Sequence, residues 1–169
     1  MLNRQELEKL IKKENLVSGY IDLETQLTPN GFDLTAADIF EFDGPGALDF
    51  SNKERVVPEG KKILPEKTGK EKFGWWELKK GAYKIRTNEI VTLPNDLIGI
   101  AFTRTSLLRM GAFTQHGVWD AGFRGKGEFV LVVENPKGIK IKQNARVTQL
   151  VFTKINETSR GYEGIYKEK

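Results

Sequence analysis

Four short segments concentrate the residues able to do chemistry: 29–35 (PNGFDLT), 103–111 (TRTSLLRMG), 117–125 (GVWDAGFRG) and 144–152 (NARVTQLVF). In the second, Arg104, Thr105, Ser106 and Arg109 cluster at the end of an apolar run, just before Gly111. Two guanidiniums and two hydroxyls suit a polyphosphate, whose oxygens only accept hydrogen bonds. The same composition also suits an exposed, salt-bridged turn. In the third segment Asp120 follows Val118 and Trp119, which places an acid at the end of an apolar strand. Gly122 and Gly125 bracket Phe123 and Arg124 in the manner of a tight turn. An acid fixed there can take a proton from water as a general base, or simply cap the turn.

These segments need rigid elements to hold them, and the rest of the chain supplies strands. Residues 3–13 read as one amphipathic helix, with Leu7, Leu10 and Ile11 on one face and Asn3 and Glu6 spaced as a capping box. Beyond it, strand patterns cover 81–87, 89–93, 97–103, 128–133, 139–142 and 147–154. Short strands at such spacing indicate an all-β sandwich or barrel. Residues 43–74, rich in Gly, Pro and Lys, read as a long loop or hairpin excursion within a single domain over 1–169.

Composition narrows the function classes. The 169 residues include no Cys and one His, so neither a disulfide framework nor a thiolate zinc site is available. No apolar run reaches the roughly 18 residues of a membrane span, and the charged N-terminus lacks a signal-peptide core. A cytoplasmic protein with no membrane partner is expected. The net charge of +4 comes from scattered lysines with no interleaved aromatic stripe, which argues against nucleic acid and for a solvated surface or small anionic ligands.

Together, the order and spacing of RTSLLRMG, GVWDAGFRG and ARVTQLVF, with NGFDLTA before them and residues 159–166 (SRGYEGIY) after, resemble the five motifs of the trimeric dUTPase and dCTP deaminase superfamily. The chain is most similar to the archaeal-type dUTPases of its dCTP deaminase-like branch. The resemblance implies a distorted, jelly-roll-like β-barrel of the β-clip kind with a short N-terminal helix. It implies a homotrimer with active sites between subunits, dUTP as substrate, and Mg²⁺ held mainly by the substrate's phosphates and water. It further implies that Asp120 activates water for attack on the α-phosphorus. Arg104, Thr105, Ser106, Arg109 and Gln149 match phosphate-binding positions, with Thr105 in place of a more usual Ser. Gly117, Val118 and Phe123 match the nucleoside pocket, Phe123 packing on deoxyribose. Arg160, Tyr162 and Tyr166 fall on a C-terminal arm, 155–169, that closes over the nucleotide.

The superfamily runs two chemistries, so the alternative is a zinc-independent dCTP deaminase, or a bifunctional enzyme making dUMP from dCTP. The deaminases it resembles carry a proton-shuttling Glu ten residues after the motif-three acid; here that position is Val130, which cannot move protons. Gly117, too, matches the hydrolases better than the His of the deaminases. Glu128 shares the strand parity of position 130, and a bulge at Gly127 is the one way to bring it into that place. His116 is expected to line the pocket or the trimer axis, Trp75 and Trp76 to be packing residues, and Asp38, Glu41 and Asp43 to form a solvated acidic face.

Overall fold

Asn3 opens the first element. In the computed structural model, which describes residues 1–167, its side chain accepts from the Glu6 N–H at 3.0 Å while the Glu6 carboxylate accepts from the Asn3 N–H at 2.9 Å. This capping box starts α1 (Arg4–Glu14), which ends at Asn15 in the left-handed region, φ 55°. Leu7 and Ile11 turn into the core, as the spacing predicts. The last two residues of the expected arm, 168–169, lie outside the described residues.

Strands follow: β1 (Val17–Ser18), β2 (Leu27–Thr28), β3 (Gly31–Glu41), β4 (Lys61–Ile63), β5 (Trp75–Leu78), β6 (Gly81–Thr92) and β7 (Leu97–Thr103), then β8 (Ala112–Gln115), β9 (Arg124–Val133), β10 (Ile139–Lys142) and β11 (Arg146–Lys154). Short helices α2 (Leu23–Gln26) and α3 (Thr105–Arg109) interrupt them. The main sheet runs β7-β11-β3-β6-β9-β8, antiparallel throughout, with β1, β2 and β4 attached to its flanks; β5 and β10 form a separate ribbon. Its two edge strands meet. The Thr103 hydroxyl donates to the Thr114 carbonyl at 3.0 Å and accepts from the Thr114 N–H at 2.9 Å, and Gly99 and Trp119 exchange both backbone bonds at 2.9 Å. The sheet is thereby nearly closed into a barrel, which protects the edges that an open sheet would expose.

Alternation explains which side chains fill it. Along β9, Phe129, Leu131 and Val133 are buried against Phe32, Leu34, Ile85, Leu150 and Phe152, while Lys126, Glu128 and Val130 face the other way. Three expectations need correction. Segments 81–87 and 89–93 are one strand, β6, with an irregularity inside it. The 103–111 segment is not a bare turn: residues 105–109 wind into α3, because Leu107 finds a place in the core and Arg104, in extended conformation, begins the turn. Asp120 does not end a strand. β8 stops at Gln115, and Trp119 makes only a lone bridge, so Asp120 stands on a loop. The 43–74 excursion is a partly paired loop, with an Ala47–Val56 bridge and β4 within it. No described helix is long and apolar enough to cross a membrane.

Candidate active site

The 117–123 loop is held at both ends. Trp119, 6% exposed, anchors it through the bridge to Gly99, and the Phe123 N–H donates to the Asp120 carbonyl at 3.1 Å to close the turn. Gly122 occupies φ 79°, and a Cβ there would lie 2.8 Å from the Gly161 Cα, so only glycine fits both the turn and the approach of the C-terminal segment. That segment is fixed by the Tyr162 N–H donating to the Ala121 carbonyl at 2.7 Å and by an edge-to-face contact of Tyr162 with Phe123, centroids 5.6 Å apart.

A cavity of about 380 Å³ opens beside this loop. Of the expected nucleoside and catalytic positions, Gly117, Val118, Asp120, Phe123, Tyr162 and Tyr166 line it together. The Asp120 carboxylate is exposed and, among the described residues, makes no hydrogen bond or ion pair, so its oxygens are open to water. The turn-capping alternative for its side chain is not realised. Gly117 has open space where a Cβ would stand, which leaves its backbone bare to the cavity. Arg160 is not among the lining residues; it pairs with Glu163 at 2.6 Å on the surface.

The expected phosphate residues form a second cluster outside that cavity. Asp33 on β3, 3% exposed, faces Gln149 in the β3–β11 register. The Asp33 carboxylate pairs with Arg104 Nε at 2.9 Å and with an Arg146 guanidinium nitrogen at 3.2 Å, and the Arg104 guanidinium also donates to the Arg146 carbonyl at 3.1 Å. Burial pushes the Asp33 carboxyl up, with the two arginines pulling the other way. Gln149 donates to the Thr28 hydroxyl at 2.5 Å. Thr105, Ser106 and Arg109 are exposed, and the first N–H groups of α3 have no acceptor within the helix. The chain thus carries a cationic, hydroxyl-bearing half and an apolar half with an acid at its rim.

Sequence reasoning missed Phe42, Val57, Lys84 and Lys126 as lining residues, and Arg146 as a partner of Asp33. Strand alternation could have found Lys126, which shares parity with Glu128 and Val130. Glu128 is in the cavity wall, but not by the route considered. Five residues of β6, Arg86 to Ile90, face three of β9, Glu128 to Lys126, so the two extra residues belong to β6 and β9 runs straight past Gly127. Val130 therefore keeps its place, paired with Gln115 and Lys84.

His116 lies inside the barrel wall, its ring 4.2 Å from that of Phe129 and 5.6 Å from that of Trp119. Its Nε2 contacts the Thr114 and Thr148 hydroxyls at 2.8 and 3.0 Å. Thr148 spends its proton on the Phe102 carbonyl at 2.7 Å; Thr103 spends its own on Thr114 O, leaving Thr114 to donate to Thr103. Both hydroxyls can then only accept, which assigns the imidazole proton to Nε2. Nδ1 is buried without a partner, and burial lowers the ring's pKa to about 4. Trp76 is buried and donates to the Ile63 carbonyl at 2.9 Å, whereas Trp75 is 38% exposed under Lys142. Asp38 pairs with Lys62, and Asp43 accepts from the Gly60 N–H.

A family model described as dCTP deaminase-like matches residues 1–155. The chain belongs to that family. Within the dCTP deaminase-like family, a protein of Methanosarcina mazei is 47% identical over all of this chain and 97% of its own length. One of Archaeoglobus fulgidus is 43% identical over 99% of this chain and 95% of its own. Both are named "Probable deoxyuridine 5'-triphosphate nucleotidohydrolase". A Methanocaldococcus jannaschii relative, 37% identical over 85% of this chain and 88% of its own, is named "Deoxyuridine 5'-triphosphate nucleotidohydrolase". A crystal structure of 2'-deoxycytidine 5'-triphosphate deaminase from Agrobacterium tumefaciens shares the fold, with a TM-score of 0.64 at 17% identity over 92% of this chain and 48% of that one.

Proposed function

We propose that the protein hydrolyses dUTP to dUMP and pyrophosphate, with Asp120 as the general base. The observation that carries the reading is the Asp120 carboxylate, without a hydrogen bond or ion pair among the described residues, in the lining of a cavity that Phe123 and Val130 also line. Asp120 takes a proton from the water that attacks the α-phosphorus, and pyrophosphate leaves. Such proton transfer contributes about 10²–10⁴-fold to rate. Phe123 packs against the deoxyribose and excludes a 2'-hydroxyl, while Gly117 and Val118 border the base. Arg104, Thr105, Ser106, Arg109 and Gln149 hold the phosphate oxygens, where fixed donors stabilise charge as it shifts to the leaving group. Tyr162, Tyr166 and Arg160 on the C-terminal segment cover the nucleoside.

The donor set fits a magnesium ion carried by the substrate. Among the described residues no cluster of acids and histidines could hold a metal alone, and Asp33 is already neutralised by two arginines. Mg²⁺ would be held by triphosphate oxygens and water, and would neutralise phosphate charge. The separation of the phosphate cluster from the cavity supports completion of each site by a neighbouring subunit, as in a homotrimer.

Pure protein with Mg²⁺ is incubated separately with dUTP and dCTP, following pyrophosphate and ammonia. Pyrophosphate from dUTP without ammonia from dCTP is expected. Asp120→Asn is expected to bind dUTP and lose at least 10²-fold in kcat. Full turnover by that variant would remove Asp120 from its role, and ammonia from dCTP would move the activity to deamination.

A further inference from the structure

We propose that Lys84 and Glu128 read the edge of the pyrimidine and select uracil over cytosine; this rests on the dUTP reading above. Both side chains line the cavity, on adjacent strands. The β6–β9 register sets Lys84 opposite Val130 and Arg86 opposite Glu128, and places Lys84 diagonally to Glu128. Lys84 Nζ lies 3.4 Å from one Glu128 oxygen, while Arg86 Nε holds the other at 2.6 Å. The lysine is unusually fixed. Its side chain is only 15% exposed, its ammonium also donates to the Glu59 carbonyl, and it lies 5.0 Å from the Phe40 ring centroid. A donor and an acceptor thus stand side by side in a set geometry, as recognition requires.

Apart from Lys126, their neighbours on this face are apolar: Phe42, Val57, Val118 and Val130. In such a setting a mismatched polar group is costly, so the polarity of the pair decides which base fits. Uracil presents O4 as acceptor beside N3–H as donor. Cytosine presents the reverse, an N4 amino donor beside an N3 acceptor. With Lys84 at position 4 of the base and Glu128 at N3, the order that the dUTP reading requires, the ammonium and carboxylate complement O4 and N3–H, and cytosine in the same pose meets donor with donor and acceptor with acceptor. Arg86, which does not line the cavity, orients the carboxylate and leaves the oxygen nearer Lys84 to the base.

The full chain is tested as Lys84→Met and Glu128→Gln, measuring kcat and KM for pyrophosphate release from dUTP and dCTP, together with equilibrium binding of dUMP and dCMP. The expected result is at least a 30-fold fall in the dUTP-to-dCTP ratio of kcat/KM, in the range of a lost charged hydrogen bond, falling on KM more than on kcat. The dUMP-to-dCMP preference in binding narrows in parallel. Unchanged ratios in folded variants would overturn the proposal and assign base reading to the backbone around Gly117. A wild-type protein that fails to hydrolyse dUTP, yet prefers dUMP through these two residues, would overturn the hydrolase reading and leave the selectivity pair standing. Folding is checked by circular dichroism. If Lys84→Met does not fold, Glu128→Gln, a near-isosteric change at an exposed residue, carries the test alone.

Discussion

His116 gives the sharpest quantitative prediction because it is the only histidine in the chain. Its ordinary pKa of 6.5 falls to about 4 in the folded protein, where the ring is desolvated and Nδ1 has no partner. The folded state therefore binds fewer protons than the unfolded chain across that window. Stability from the neutral ring is complete above pH 6.5 and is lost progressively as pH falls toward 4. At about 1.4 kcal/mol per pH unit, the loss is about 3 kcal/mol. For a chain of this size it lowers Tm by about 6–12 °C. Glu89 and Asp33 act with the opposite sign, since burial raises both, and they offset part of the acid loss. Comparison with a variant isolates the histidine. In His116→Gln the amide can still donate to Thr114 and Thr148 but does not titrate, so the pH 6.5–4 stability slope of the variant should be flatter by about 3 kcal/mol. Thermal unfolding at fixed protein concentration measures the slope. Proton NMR measures the pKa directly, with one imidazole resonance and no assignment problem. A pKa at or above 6.5, or identical slopes in the two proteins, would refute the assignment of a buried neutral ring.

Glu89 is fully buried and accepts from the Thr35 N–H at 2.9 Å, the Thr35 hydroxyl at 2.5 Å and the Gln26 amide at 2.8 Å. Glu89→Gln turns one oxygen into a donor facing donors and should cost about 2–4 kcal/mol, read by urea unfolding. Gly122→Ala must place a Cβ at φ 79° against Gly161; it should cost about 1–2 kcal/mol from the backbone alone and release the C-terminal segment, seen as faster proteolysis near Tyr162.

Much of this was legible where local signals agree. Asn3 and Glu6 at capping-box spacing mark the start of α1, an apolar run matches β7, and strict alternation matches β10 to the residue. Three features were hidden for physical reasons. α3 is a single turn rich in hydroxyls, and its helical state depends on Leu107 finding the core, which is a tertiary fact. The two-residue excess in β6 includes Glu89, whose buried carboxylate is held by Thr35 and Gln26 from a distant part of the chain, a pairing that no local pattern encodes. Lys84 joined the cavity only through cross-strand register, which no single strand encodes. The residues around Asp120 and Phe123 that line the cavity were singled out through the resemblance of their motif; the lining contributed by Phe42 and Val57 was not, because it depends on how the 43–74 excursion folds back.

The alternation of β9 has an evolutionary consequence. One strand holds the barrel together with Phe129, Leu131 and Val133, and faces the cavity with Lys126, Glu128 and Val130. Substitutions at the even positions exchange chemistry without opening a hole in the interior, whereas those at the odd positions disturb packing first. Mutation can therefore vary the lining of the cavity on a framework whose stability is guarded by different residues of the same strand. A scaffold wired in this way is free to diverge in what it does while remaining constant in how it folds.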